Sequence, residues 1–156
     1  MSEYKAVTII RGASGTGKTT LANTFWGRDV IDINLEADDY FYKGRVKSLL
    51  SYINGGDRPP VDRGVYEFDY TKLNDAHATC RVLAAIAVGR GMRVAVSNTS
   101  IKLDHVDIII DYINHFHDIK IEYEVIDLTT PYGISNAPLE VQQRMLLDFE
   151  PWTGSV

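Results

Sequence analysis

Gly12-Ala13-Ser14-Gly15-Thr16-Gly17-Lys18-Thr19 sets glycines, a lysine and a hydroxyl at the spacing of a phosphate-binding loop. Small residues let such a loop curl so that its N–H groups point inward. A helix starting near Lys18 aims its positive end at the same place. The spacing predicts that Lys18 reaches the β- and γ-phosphates of a nucleoside triphosphate and that the Thr19 hydroxyl binds Mg²⁺. The expected nucleotide contacts are thus Gly12, Ala13, Ser14, Gly15, Thr16, Gly17, Lys18, Thr19 and the adjoining Thr20.

A phosphoryl transfer needs a second set of residues for the acceptor. Asp38 and Asp39 follow an alternating run at 30–35. A carboxylate there can take the proton of an attacking hydroxyl, position that hydroxyl, or hold a Mg²⁺-bound water. One of the two can instead cap the next helix, and Asp38 is the one assigned to chemistry. Ser97, Asn98 and Thr99 end a later apolar run, where short polar side chains orient an acceptor or simply make a turn. No carboxylate stands at that strand end, so the usual second metal-side aspartate is missing there. His77 lies on a helical stretch and either packs or faces the site. His77, His105, His115 and His117 have no spacing that suggests a metal site.

The elements that must position these groups are legible as periodicity. Residues 5–10 read as a buried strand and 20–26 as the helix after the loop, stopped by Gly27. Residues 30–35 read as a second strand and 40–54 as a helix, with Gly55 to Pro60 as a loop. A helix over 73–88 carries Leu73, Ala76, Cys80, Leu83, Ala84 and Ala87 at 3–4 spacing. Residues 92–96 read as a third strand, and Val106, Ile109, Ile110, Ile113 and Phe116 mark a further helix. Residues 121–127 alternate as a fourth strand. Pro138 opens a last helix with Val141, Met145 and Phe149 inward. Alternating strands and helices predict an α/β fold with a parallel sheet covered on both faces. Such folds bind ligands at the carboxyl ends of their strands.

A chain of 156 residues suits a single domain over 1–156. Hydrophobic residues at 45% and charged residues at 24% are ordinary for a soluble protein. The single cysteine, Cys80, excludes an internal disulfide and falls in a core pattern. The first residues lack a basic, then apolar, secretory pattern, and no apolar run approaches a membrane span. The expected location is the cytoplasm, with no membrane partner. A net charge of −5 argues against bulk nucleic-acid binding. Within 43–63, however, Lys43, Arg45, Lys47, Arg58 and Arg63 outnumber Asp57 and Asp62. This is either a phosphate-binding patch or a solvated face and loop.

Taken in order, Arg11-Gly12 through Thr19, Ala37-Asp38-Asp39-Tyr40-Phe41, Tyr66-Glu67-Phe68-Asp69, Leu73 through Cys80 and Ser97-Asn98-Thr99-Ser100 resemble the polynucleotide-kinase-like P-loop kinases. The closing Ala137-Pro138-Leu139-Glu140-Val141, with Arg144, Met145, Phe149 and Trp152, resembles that group's end. The likeness spans most of the chain. It implies a P-loop kinase fold with a lid over ATP, Asp38 as general base, Lys18 and Thr19 on ATP·Mg²⁺, and Asn98 and Thr99 near the acceptor.

Two departures bear on the acceptor. Phe41 stands where the bacteriophage polynucleotide kinase has an arginine that grips an acceptor phosphate. Asp39 and Phe41 remain expected acceptor contacts, Phe41 by stacking on a base or else packing inward. The lid segment 129–136 has no arginine, so either Arg144, another basic residue or a partner steadies the transferring phosphate, or turnover is slow. The resulting expectation is transfer of the γ-phosphate of ATP to a nucleic acid or nucleotide hydroxyl. In nucleic acid, the hydroxyl would belong to a 5′ end or to a hydroxymethylated pyrimidine in DNA. The alternatives are a small-metabolite kinase and a nucleotide-sensing module with little turnover. The oligomeric state is not legible.

Overall fold

Four short apolar runs form one sheet. The computed structural model describes residues 6–13, 15–100, 102–129 and 138–153. The elements are β1 (Val7–Gly12), α1 (Lys18–Gly27), β2 (Ile33–Leu35), a 3₁₀ turn (Ala37–Phe41), α2 (Arg45–Ile53), a second 3₁₀ turn (Tyr70–Lys72), α3 (Leu73–Gly89), β3 (Val94–Asn98), α4 (Leu103–His115), β4 (Tyr123–Leu128) and α5 (Leu139–Asp148). Ser14, residues 1–5 and lid residues 130–136 lie outside the described residues.

The strands run β2-β3-β1-β4, all parallel. Every residue of β1, β2 and β3 is buried, as parallel strands covered on both faces require. The chain moves one way along the sheet from β1 to β2, and the other way from β2 to β3 and from β3 to β4. Right-handed crossovers therefore put α1 on one face and α3 and α4 on the other. The direction reverses between β1 and β3, and the crevice beyond their carboxyl ends is where such sheets bind ligands. Leu83, Ala84 and Ala87 of α3 join Val106 and Ile113 of α4 and Ile9, Val94 and Val96 of the sheet in one buried cluster. The 3–4 spacing of these side chains makes that packing possible.

Several elements differ from the periodicity reading. The second strand is only Ile33–Leu35. Before it, the Asp32 carboxylate accepts from the Arg93 backbone N–H at 2.7 Å and from its guanidinium at 2.9 and 3.1 Å. The helix expected over 40–54 is split into a 3₁₀ turn and α2. Lys43 N–H donates to the Val65 carbonyl and Glu67 N–H to the Phe41 carbonyl, tying the break to a later loop. Phe116 lies just past α4 and is 57% exposed rather than inward. No residue of α5 is buried, and Val141 faces outward. Phe149 packs on a cation, its ring centroid 4.4 Å from the Arg11 guanidinium carbon.

Candidate functional site

The loop after β1 is built by close approach. A Cβ at Gly12 would run into the Leu128 carbonyl and the Thr16 hydroxyl, so only glycine fits. The Gly12 N–H donates to the Thr99 carbonyl at 3.2 Å, joining this loop to the end of β3 at the sheet's reversal point. Thr16 donates through its hydroxyl to the Ala13 carbonyl at 2.7 Å. Gly17 caps α1 with a φ of 89°, a left-handed turn that glycine adopts without strain. No side chain caps α1 and no acidic residue sits in its first turn. Its first N–H groups have no intrahelical partner, which is the geometry that binds oxyanions. Thr20 is exposed on that first turn.

Lys18 is half-buried and its Nζ donates to the Ala13 carbonyl at 3.0 Å. Burial lowers the ammonium below the usual lysine value, while Glu36 and then Asp38 act the other way. Both carboxylates are therefore near enough to act on Lys18. Asp38 is exposed, with the Tyr66 hydroxyl 3.5 Å from its Oδ1. Burial and the Asp38 charge push the Tyr66 phenol up to about 12, so it stays a neutral donor.

Glu36 was not singled out from sequence, yet it is central. The Thr19 hydroxyl donates to its carboxylate at 3.1 and 3.2 Å. A hydroxyl that donates to a carboxylate turns its lone pairs away, toward a cation. Asn34 Nδ2 donates to Glu36 Oε2 at 2.9 Å, and Ser97 Oγ donates to Asn34 Oδ1 at 2.7 Å. Ser97 is thus buried as the far end of a relay that reaches Thr19 through Asn34 and Glu36. Burial raises the Glu36 pKa, with Arg63 opposing at 3.5 Å. The missing carboxylate at the end of β3 has a counterpart here, just past β2. Among the described residues no group of three or more His, Cys, Asp and Glu side chains is placed to hold a metal. A cation held by one hydroxyl, phosphate oxygens and water requires none.

Of the other expected acceptor contacts, Asp39, Phe41 and Asn98 point inward. Asp39 is the cap: its Oδ2 accepts from Glu36 N–H at 2.9 Å, and its Oδ1 faces Arg63 at 3.4 Å and Arg45 at 3.7 Å. Burial raises its pKa as well. Phe41 is 4% exposed and packs edge-on against Tyr40, Tyr66 and Phe68, so it offers no stacking face to a base. Asn98 Oδ1 accepts from Ala37 N–H at 2.7 Å and its Nδ2 meets Cys80 Sγ at 3.7 Å. Asn98 therefore fixes the backbone beside Asp38. Thr99 lines a cavity that His77 also faces. Cys80 is fully enclosed and burial pushes its thiol up to about 12. Arg144 lies on exposed α5.

The basic patch is largely consumed. Arg45 donates to the Pro60 carbonyl at 2.7 Å, and Arg58 donates to the Trp26 carbonyl at 2.7 Å while lying over that indole. Arg63 is committed to Glu36 and Asp39 and covers the Tyr42 ring. Lys43 and Lys47 remain exposed. No helix among the described residues is long and apolar enough to cross a membrane. What points to function is the geometry around Thr19, Glu36 and Asp38: no protein-family model matches the sequence, and no curated protein matches it.

Proposed function

We propose that the chain is an ATP-dependent kinase of the polynucleotide-kinase-like P-loop type. It moves the γ-phosphate of ATP to a hydroxyl on a nucleotide or nucleic acid, at a 5′-hydroxyl end or a hydroxymethylated pyrimidine. The supporting observation is that an uncapped helix start carries Lys18 and the Glu36-backed Thr19 hydroxyl, with the exposed carboxylate of Asp38 acting on the Lys18 ammonium. Loop amides and Lys18 would hold the triphosphate. The Thr19 hydroxyl, with Glu36 behind it, would hold Mg²⁺, which when bound offsets charge on the β- and γ-phosphates. The acceptor oxygen bonds to the γ-phosphorus, the bond to the β–γ bridging oxygen breaks, and ADP leaves. Asp38 takes the acceptor's proton.

A small-metabolite acceptor is the second reading. It is supported by the internal use of Arg45, Arg58 and Arg63, which leaves little positive surface for a long strand. The test is transfer from γ-labelled ATP to 5′-hydroxyl DNA and RNA, hydroxymethyluracil DNA, nucleosides, nucleotides and sugars. Label should reach one class and be lost in Lys18→Ala and Asp38→Ala, with Asp38→Ala still binding ATP. Tight ATP binding with no transfer to any acceptor would sink the kinase reading and leave a nucleotide-sensing module.

A further inference from the structure

Between α3 and α4, past the end of β3, lies a cavity of about 300 Å³. Asn74, His77 and Arg81 enter it from one stripe of α3, and His105 enters from the first turn of α4. No carboxylate is among the described residues that line it. The Nε of Arg81 is buried with no hydrogen-bond partner among the described residues, and its guanidinium carbon lies 5.7 Å from the Tyr112 ring centroid. Burial, then Arg81 and His105, hold the His77 imidazole toward its neutral form, and Asp38 acts against them. Three basic side chains, His77, Arg81 and His105, thus share a cleft with no carboxylate among its described lining residues. Such a setting favours an incoming oxyanion, which guanidinium binds by charge-assisted hydrogen bonds.

The cavity also borders the reacting groups. Thr99, whose carbonyl receives the Gly12 N–H, lines it, and so does Asn98, whose amide fixes the backbone next to Asp38. We propose that this cavity takes an anionic group of the acceptor, a phosphate or a carboxylate, on Arg81 with His77 and His105, and so holds the acceptor's hydroxyl at Asp38. The proposal rests on the kinase reading of the Asp38 site. It makes neutral nucleosides and sugars poor acceptors and their phosphorylated or carboxylated counterparts good ones.

The probe is inorganic phosphate, with acetate as the carboxylate arm, added to protein saturated with a non-hydrolysable ATP analogue and Mg²⁺. The analogue keeps phosphate out of the glycine-rich loop. Imidazole NMR signals report the site. Saturable shifts of His77 and His105, with His115 and His117 unmoved, are expected from one or both anions. Arg81→Gln should weaken that binding by about tenfold or more, and analogue affinity should hold. Unmoved His77 and His105 signals, or equal affinity in Arg81→Gln, would overturn the proposal. If Arg81→Gln does not fold, the wild-type imidazole titration decides alone. Failure of the analogue to bind would instead count against the kinase reading, and the imidazole titration would still test the cavity.

Discussion

Replacing Glu36 by glutamine separates a metal-side role from a structural one. The carboxylate receives Thr19 and Asn34 and meets Arg63 at 3.5 Å, at 8% exposure. Glutamine keeps both donors only with its carbonyl oxygen in the place of Oε2; its amide then stands in the place of Oε1, beside Thr19 and facing the Arg63 guanidinium instead of accepting from it. Leaving one buried donor unmet costs about 1–3 kcal/mol. Against this, the variant no longer buries a carboxylate, a penalty of several kcal/mol in real proteins. Arg63 keeps Asp39 as its partner at 3.4 Å. Stability near neutral pH should therefore move by no more than about 1 kcal/mol in either direction.

The pH dependence has a definite sign. Burial raises the Glu36 pKa in the folded protein, so the folded state binds this proton more readily than the unfolded chain. The stabilisation from this group is full below the unfolded value and is lost as pH rises through the folded one. Glu36→Gln removes that loss, so the variant gains on the wild type as pH climbs out of the carboxylate range. Nucleotide binding should respond differently. An amide that donates to Thr19 turns the hydroxyl's lone pairs back from the cation, and altering a supporting group of this kind costs about 10- to 100-fold in metal affinity. ATP titrations with Mg²⁺ should show that loss, while titrations with a chelator should show none. Equal loss with and without Mg²⁺, or a collapse of the melting transition, would refute the assignment of Glu36 to the metal side.

Gly12→Ala has no room for its methyl group against the Leu128 carbonyl and the Thr16 hydroxyl. It should cost about 1–3 kcal/mol in a denaturant melt and weaken ATP binding. Asp127→Ala takes the carboxylate from Arg11, which is fully buried, keeps the Ser100 carbonyl on Nε and has no partner for Nη2 among the described residues, and it also removes the acceptor for Trp152 N–H. A loss of about 3 kcal/mol is expected, and an unchanged melting curve would show that the pair does not anchor the C-terminal segment. Asp32 behaves opposite to Glu36: its hydrogen bond from Arg93 lowers its pKa, so its stabilisation is present above the unfolded value and lost as pH falls through the folded one. Asp32→Asn should cost at most about 1 kcal/mol near neutral pH, because the pair is partly solvated, and nothing in strong acid.

The strand, glycine loop and helix at 7–27 could be read from sequence because each signal there is local. A positive φ, an uncapped helix start and an apolar strand are set by neighbours in the chain. Glu36 escaped because its functional partner, Thr19, lies in another element 17 residues away. One signal was available. Asp32, Asn34 and Glu36 alternate, which puts three polar groups on one face of a strand otherwise buried. A polar face on a buried strand calls for partners, and Arg93, Ser97 and Thr19 are those partners. Phe41 went the other way: an aromatic beside Asp38 suits a base, but only tertiary packing shows that Ala37 and Ala76 enclose it.

The same long-range pairing changes the electrostatics of the acceptor side. Counting charges over 43–63 treats each arginine as available to a ligand. Arg63 instead partly offsets the desolvation of Glu36 and Asp39, two buried carboxylates whose pKa values stay raised even so. Arg45 shares Asp39 and holds the Pro60 carbonyl, and Arg58 holds the end of α1. The loop they tie down carries Phe68 and Tyr70 outward at 53% and 76% exposure. Beside Asp38 stand the Tyr66 phenol and the Lys18 ammonium on which it acts, while Arg81, whose Nε has no hydrogen-bond partner among the described residues, lines the cavity shared with Asn98. On the proposed reading, a suited acceptor places one anionic group in that cavity. Of the five basic residues over 43–63, Lys43 and Lys47 are the ones left exposed, little positive surface for a strand held through many phosphates.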